Sequence, residues 1–221
     1  MPAEIDLERL YHGRFDDAEL DAKYRVWRVL CRHFFQRYVG RDETVLDVGA
    51  GACEFINAIE CGRRIAVDPN PAVRRYAASG VEVVAAESTD LAPVSDQSVD
   101  VVFASNVFEH MPDTAAFLTT LREIRRVLRP GGRLLVLQPN IAVLGGRFWD
   151  FLDHHLPLTE RTVVEAVELA GLEVREVRTR FLPYTTKSRL PQHPLLVRLY
   201  LAVPFAHRIL GGQAWIVAVK P

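Results

Sequence analysis

The sequence of 221 residues has few cysteines, almost no net charge and no long hydrophobic run, and each shortage excludes a class of protein. Cys31, Cys53 and Cys61 are too few for a disulfide framework and lack zinc-knuckle spacing, so we expect a reducing, cytoplasmic location. The net charge of -1 is too small for a surface that grips nucleic acid. The acidic N-terminus has no signal-peptide segment, and charges and prolines interrupt the most apolar stretch, residues 194–210.

The charge is distributed unevenly along the chain. Residues 172–221 carry eight basic and two acidic side chains, a balance of +6, whereas residues 1–171 have a balance of −7. A solvated basic face and a surface that meets an anionic partner both remain open as explanations.

Short apolar runs alternate with segments of helical periodicity. The runs predict strands near residues 44–48, 63–67, 81–87, 101–106, 133–140, 172–182 and 213–221, and the periodic segments predict helices near residues 20–38, 53–60, 71–80, 114–128 and 159–171. Strands that are apolar on both faces favour a parallel sheet covered by helices. We therefore predict an α/β fold: a doubly wound, Rossmann-like, mostly parallel seven-stranded sheet with an antiparallel C-terminal edge strand.

The same pattern predicts how the chain is organised. We expect a single domain over residues 1–221, which consists of an N-terminal helical cap (1–40), a core (41–182), a late helical insertion (183–212) and a last strand (213–221).

A glycine turn after the first predicted strand indicates a nucleoside site. Gly49 and Gly51 allow a ligand to approach the backbone closely. A dinucleotide site would have a third glycine where this chain has Glu54, whose charge repels a pyrophosphate. Asp47 is suited to hold an ammonium group, and Asp68 ends the second strand where an acid accepts ribose hydroxyls. These groups together favour a nucleoside that carries an amino acid and no phosphate.

The motifs VLDVGAG, AVDPN, AAESTDLAPVSDQSVDVVFASNVFEHM and REIRRVLRPGGRLLVLQPN give the chain a resemblance to a known family. Over most of residues 42–180, in order and spacing, the chain resembles the class I S-adenosylmethionine-dependent methyltransferases, although Cys53 replaces their frequent third glycine. The resemblance implies S-adenosylmethionine as cofactor and S-adenosylhomocysteine as product. It implies cofactor contacts by Asp47, Gly49, Ala50, Gly51, Asp68, Pro69, Glu87, Ser88, Asn106 and Val107.

Within this implied site, Glu87 takes the place of the acid that meets the adenine amino group, with Ser88 beside it. Asn106 and Val107 take the place of the residues that line the methionine end.

Two loops carry candidate catalytic histidines. Methyl transfer to an alcohol or phenol requires removal of a proton, commonly by histidine or a carboxylate. His110 follows the fourth strand, and His154 and His155 follow the fifth. Each also has a structural interpretation, as a brace of its loop. A metal bound by Asp153 and the two adjacent histidines is disfavoured because neighbouring residues in one loop rarely ligate together, so we expect no metal.

The predicted function is S-adenosylmethionine-dependent methyl transfer to a small molecule, at a hydroxyl of a glycan-, lipid- or natural-product-pathway intermediate. A nicotinamide-dependent oxidoreductase and a non-catalytic nucleoside-binding protein of the same fold are the alternatives. The apolar and basic insertion predicts an anionic or lipid-linked acceptor, or a peripheral membrane contact. The competing interpretation is packing on the sheet edge or a dimer seam, so monomer and homodimer both stay open.

Overall fold

A computed structural model describes residues 17–184 and 193–221 of the chain. Three short 3-10 turns, Phe35–Tyr38, Phe108–His110 and Gly145–Asp150, connect its helices and strands. In chain order these are α1 (Asp17–His33), β1 (Thr44–Val48), β2 (Arg63–Val67), α2 (Val73–Tyr76), β3 (Val81–Val84), β4 (Val99–Ser105), α3 (Thr114–Val127), β5 (Leu128–Pro139), α4 (Ile141–Leu144), α5 (Glu160–Leu169), β6 (Glu173–Arg178), α6 (Pro194–Ala202), α7 (Pro204–Leu210) and β7 (Gln213–Val219).

The strands form one sheet in the order β3-β2-β1-β4-β5-β7-β6. The first five run parallel, and β7 pairs antiparallel with both β5 and β6. The predicted doubly wound, mostly parallel sheet is therefore confirmed, with the antiparallel strand β7 between β5 and the edge strand β6.

Two hydrophobic cores cover the two faces of this sheet. Successive residues of a strand point to opposite faces, so Leu46 and Val48 of β1 pack in the core that includes α3 and α5, whereas Val45 packs in the core that includes α1. This division explains why the central strands carry apolar side chains on both faces.

Aromatic side chains dominate the core beneath α1. The rings of Phe55 and Phe103 stack with centroids 3.7 Å apart, and Trp27 and Phe35 contact Phe103 edge to face at 6.0 and 5.3 Å. Such pairs add to the free energy gained by burial alone. They fix the position of α1 against the sheet.

The helices α6 and α7 lie within the predicted insertion, whose residues 185–192 are outside the described part of the chain. Val197, Tyr200 and Leu201 of α6 pack against the core beneath α1. Both helices keep an exposed apolar surface. Among the helices in the described ranges, none has the length and apolarity needed to cross a bilayer.

The helix predicted over residues 53–60 is wrong, because this segment forms a series of turns. Cys53 has a φ of 58°, outside the right-handed helical region. The Asn57 side chain then donates to the Tyr76 carbonyl and accepts the Ala78 N–H, both at 2.8 Å. These bonds stabilise turns instead of a helix. The helix predicted over residues 71–80 is likewise reduced to the single turn of α2.

We predict that Phe103→Ala lowers the free energy of unfolding by about 3–5 kcal/mol, because Phe103 is fully buried and the change leaves a cavity among aromatic rings. Urea unfolding followed by circular dichroism measures the loss. Phe205→Ala is the matched control, since 67% of Phe205 is exposed, and it should cost less than about 1 kcal/mol. Equal losses in the two variants would contradict the packed aromatic core.

Candidate active site

The turn after β1 combines a tight backbone path with an open space. The N–H groups of Gly49 and Ala50 donate to the Val67 carbonyl at 2.8 and 3.1 Å, which ties the turn to β2. Gly49 and Gly51 have φ values of 68° and 52°, a region that favours glycine. A Cβ on Gly49 would lie 2.5 Å from Cγ2 of Val107, whereas a Cβ on Gly51 would have no neighbour within 4 Å among the described residues. Gly51 therefore borders an open space that a ligand can enter.

Asp68 holds this turn in place. Its Oδ2 accepts the Gly51 N–H and its Oδ1 accepts the Asn70 N–H, both at 2.8 Å. Each carboxylate oxygen has a second lone pair, so Asp68 retains acceptors for a ligand. The exposed Pro69 follows directly. The bond from Asp68 to Gly51 is a structural role that sequence reasoning missed.

Three buried acids lie in or beside the turn. Asp47, Glu54 and Asp68 are all buried. Desolvation, followed by the charges of Glu54 and Asp68, raises the pKa of Asp47 well above its ordinary value. Lys23 of α1 pairs with Glu54 at 2.5 Å. This arrangement favours a ligand that brings a positive charge close to Asp47.

The helix α1 contacts the turn directly. The Tyr24 hydroxyl donates to the Ala52 carbonyl at 2.8 Å, and burial raises the pKa of this hydroxyl. Lys23 and Tyr24 are consecutive and both reach the turn. Sequence reasoning assigned neither residue to the site, because a lysine and a tyrosine on an amphipathic helix give no signal of a distant partner.

The turns after β3 and β4 carry the other residues predicted to meet the cofactor. Glu87 is exposed beyond β3, and Ser88 Oγ lies 3.2 Å from Thr120 Oγ1. Asn106 has a φ of 52°, and its N–H donates to the Leu137 carbonyl at 2.9 Å. Val107 packs on Gly49. The two turns that follow β1 and β4 are therefore in contact.

A second group of polar side chains joins the loops after β4 and β5. The rings of His110 and His154 lie 5.0 Å apart. Nδ1 of His110 is 2.9 Å from the Asp153 carbonyl oxygen and 3.3 Å from the Asp153 Oδ2. Nδ1 of His154 is 2.8 Å from the Phe148 carbonyl oxygen. The structure thus brings together two of the three predicted histidines. The side chain of His155 is exposed.

Glu109 connects the two loops. Its backbone carbonyl accepts the N–H groups of His155 and Leu156 at 2.8 and 3.0 Å. Its side chain is 1% exposed, and burial raises the pKa of the carboxyl group while the adjacent His110 lowers it. One potential ligand atom from each of Glu109, His110 and His154 lies within 4.8 Å of the others. Sequence reasoning placed Glu109 beside His110 but not beside His154.

We predict that Gly49→Ala destabilises the protein more than Gly51→Ala. Either alanine strains a positive φ, at about 1–2 kcal/mol, but only the methyl group at position 49 overlaps Val107, which adds about 1–3 kcal/mol. Urea unfolding measures both losses. Val107→Ala combined with Gly49→Ala should recover part of the larger loss. A larger loss in Gly51→Ala would contradict the described turn.

Comparisons with known proteins place these features in a family. Residues 46–136 match the model of a methyltransferase domain. A probable S-adenosylmethionine-dependent methyltransferase of Mycolicibacterium smegmatis is 33% identical over 163 residues, which are 72% of this chain and 62% of that protein. A phthiotriol/phenolphthiotriol dimycocerosates methyltransferase of Mycobacterium leprae is 29% identical over 183 residues, or 78% of this chain and 59% of that protein.

The chain thus spans about 60% of the length of these two curated relatives. The solved structures share its fold at lower identity. A SAM-dependent methyltransferase from Archaeoglobus fulgidus superposes with a TM-score of 0.64 and 20% identity, over 93% of this chain and all of that one.

Proposed function

The chain belongs to the class I S-adenosylmethionine-dependent methyltransferases, and we propose that it transfers a methyl group from this cofactor to a hydroxyl group of a small-molecule acceptor. The observation that carries the proposal is the open space at Gly51, whose N–H bonds to the buried Asp68, together with the buried Asp47 directly before the glycine turn. The open space fits a ligand near the backbone, and the acids fit a cationic one. When bound, the cofactor supplies a methyl group on a sulfonium, which is already a strong electrophile.

We assign the parts of the site to residues of this chain. Asp47 holds the ammonium group, directly or through water, and the remaining lone pairs of Asp68 accept the ribose hydroxyls. Glu87, with Ser88 and Pro69 nearby, faces the adenine. The turn residues Gly49, Ala50, Gly51, Asn106 and Val107 line the methionine end. The buried carboxylate of Glu54 disfavours a pyrophosphate, which weighs against the nicotinamide-dependent alternative.

We place proton removal from the acceptor at the cluster of Glu109, His110 and His154. Glu109 and His110 of this cluster lie on the turn after β4, close in the chain to Val107, which packs on Gly49. An acceptor hydroxyl that lies between the glycine turn and this cluster would therefore have a polar partner in the cluster. Both lie at the end of the sheet where open α/β folds bind ligands. His155, with its exposed side chain, is left outside this cluster.

We further propose that the acceptor is lipid-linked and that α6 and α7 bind an anionic lipid surface. Seven large apolar side chains of residues 195–210 are exposed: Leu195, Leu196, Leu199, Val203, Phe205, Ile209 and Leu210. Arg198 and Arg208 are exposed among them, and residues 183–212 contain no acidic side chain. An apolar surface with only basic charges complements an anionic membrane. The mycobacterial relative named for a dimycocerosate acceptor is consistent with this substrate class.

We predict that Asp47→Ala and Asp68→Ala each weaken the binding of S-adenosylhomocysteine by about ten- to a hundredfold, because loss of a charged acceptor costs about 1.5–3 kcal/mol. Isothermal titration calorimetry measures the affinity. Asp96→Ala is the control, since Asp96 is exposed and precedes β4 at the opposite edge of the sheet, and it should bind as wild type does.

Wild-type affinity in Asp68→Ala would contradict the placement of the ribose. Binding of NAD in place of S-adenosylhomocysteine would favour the oxidoreductase. Tight cofactor binding with no methyl transfer to any hydroxyl acceptor, lipid-linked ones included, would favour the non-catalytic alternative.

We predict that the protein co-sediments with phosphatidylglycerol vesicles at low ionic strength and is released by added salt. Each basic residue near an anionic surface contributes about 1 kcal/mol, so the double change Arg198→Glu and Arg208→Glu should lower the partition coefficient at least about tenfold. The matched control changes Arg122 and Arg161 to Glu, since both are exposed on helices that cover the other face of the sheet.

Equal losses in the two double variants would contradict a surface on α6 and α7. Absence of vesicle binding, together with a dimer that dissociates on Phe205→Asp, would assign this surface to a dimer seam. Lys187 and Arg189, two further basic residues of the predicted insertion, lie outside the described residues.

A further inference from the structure

Glu109, His110 and His154 converge from two loops at one end of the sheet. Glu109 and His110 lie on the 3-10 turn after β4, and His154 lies on the loop after β5. One potential ligand atom of each lies within 4.8 Å of the others. Two imidazoles and one carboxylate are a donor set that proteins use for divalent transition metals. Glu109 and His110 are adjacent on one turn, but His154 comes from the other loop, whereas Asp153, His154 and His155 all belong to a single loop.

The backbone fixes both histidines through the same ring atom. Nδ1 of His110 and Nδ1 of His154 each lie within hydrogen-bond distance of a carbonyl oxygen, at 2.9 and 2.8 Å. A carbonyl oxygen only accepts, so each Nδ1 carries the proton and donates it. A neutral imidazole that donates through Nδ1 has its lone pair on Nε2. Histidines that bind metals are held in this way, with the second ring nitrogen bonded to a carbonyl or carboxylate.

The Glu109 carboxyl group is buried with an unsatisfied oxygen. Among the described residues, its Oε2 has no hydrogen-bond partner. Gln138 lies close enough to lower the pKa of Glu109, yet the Gln138 amide group also has no hydrogen bond of ordinary geometry within the described ranges. A buried carboxylate oxygen without a hydrogen bond is unfavourable. A cation beside it would remove this cost.

The spacing argues against a simple ion pair. Nε2 of His110 lies 3.9 Å from Oε1 of Glu109, which is longer than the 2.7–3.2 Å typical of a hydrogen bond. Ligands of one tetrahedral zinc ion, with bonds of about 2.0–2.2 Å, are separated by about 3.4 Å. Movements of about 1 Å would bring the ligand atoms of Glu109, His110 and His154 to the separations of a tetrahedral zinc site.

We propose that Glu109, His110 and His154 bind one divalent transition-metal ion, with Zn²⁺ the best match to this donor set. Three protein ligands leave at least one coordination position open, as in catalytic zinc sites. If the proposed function holds, this position takes the oxygen of the acceptor, and the ion lowers the pKa of its hydroxyl group so that the proton passes to solvent water. Only this catalytic role rests on the proposed function.

The test is metal binding by the full chain without a histidine tag, stripped with a chelator, and with neither cofactor nor acceptor present. We expect Co²⁺ to bind one ion per chain with visible absorption bands, and Zn²⁺ to displace it. Glu109→Gln and His110→Ala should each weaken binding at least about tenfold. His155→Ala removes an exposed neighbouring imidazole and should leave the affinity unchanged.

Circular dichroism and calorimetry with S-adenosylhomocysteine establish that each variant is folded. His110, whose side chain is 29% exposed, gives a variant that is less prone to unfold than Glu109→Gln. Absence of stoichiometric Co²⁺ or Zn²⁺ binding by the wild type would overturn the proposal, as would equal losses in His155→Ala and His110→Ala. Stoichiometric binding by a protein that transfers no methyl group would retain the metal site and reject the proposed function.

Discussion

The parallel register of β2, β1, β4 and β5 is the constraint on which the site depends. Val48 of β1 is aligned with Val67 of β2 and with Ala104 of β4, and Ser105 is aligned with Leu137 of β5. Strands in this register end at the same edge of the sheet, so the turns that follow them must meet there. Residues far apart in the chain thereby become neighbours without any long connection. The acids around the glycine turn and the cluster of Glu109, His110 and His154 both belong to the segments that follow these strands.

This convergence has an electrostatic cost that a bound cation would reduce. Asp47 and Asp68 are buried at the ends of adjacent strands, and burial raises the pKa of both. Glu109 lies on the turn after β4, and burial raises the pKa of its carboxyl group as well. Backbone N–H groups compensate Asp68, and Lys23 compensates Glu54, but Asp47 and Glu109 have less support. Carboxyl groups with raised pKa values therefore lie at the candidate site, as is common at functional sites.

Local patterns in the sequence predicted the sheet, because strands buried on both faces have a composition unlike that of any loop. They predicted α5, because its signals are local, as is the bond by which the Thr159 hydroxyl accepts the Thr162 N–H at 3.1 Å. They failed over residues 53–60, where Asn57 bonds to Tyr76 and Ala78, partners about twenty residues away. Apolar spacing carries no information about such a bond.

The candidate site was predictable to the extent that single turns define it. Gly49, Gly51 and Asp68 each follow a strand, so their meeting follows from the topology alone. The placement of Glu109 beside His154 does not, because it depends on how the loop after β5 folds back. There the Glu109 carbonyl accepts the N–H groups of His155 and Leu156. The contacts of Lys23 and Tyr24 depend likewise on the aromatic packing that orients α1.

The uneven charge along the chain follows the division between the candidate site and the helices α6 and α7. Residues 1–171, with a balance of −7, contain Asp47, Asp68 and Glu109, and all three lie buried where a cationic ligand gains most. Residues 172–221, with a balance of +6, include α6 and α7, whose exposed arginines stand among apolar side chains. Charges on the surface are screened over about 10 Å, so the basic helices attract an anionic surface without cancelling the field of the buried acids. The two signs of charge can therefore act on two different partners in one small protein.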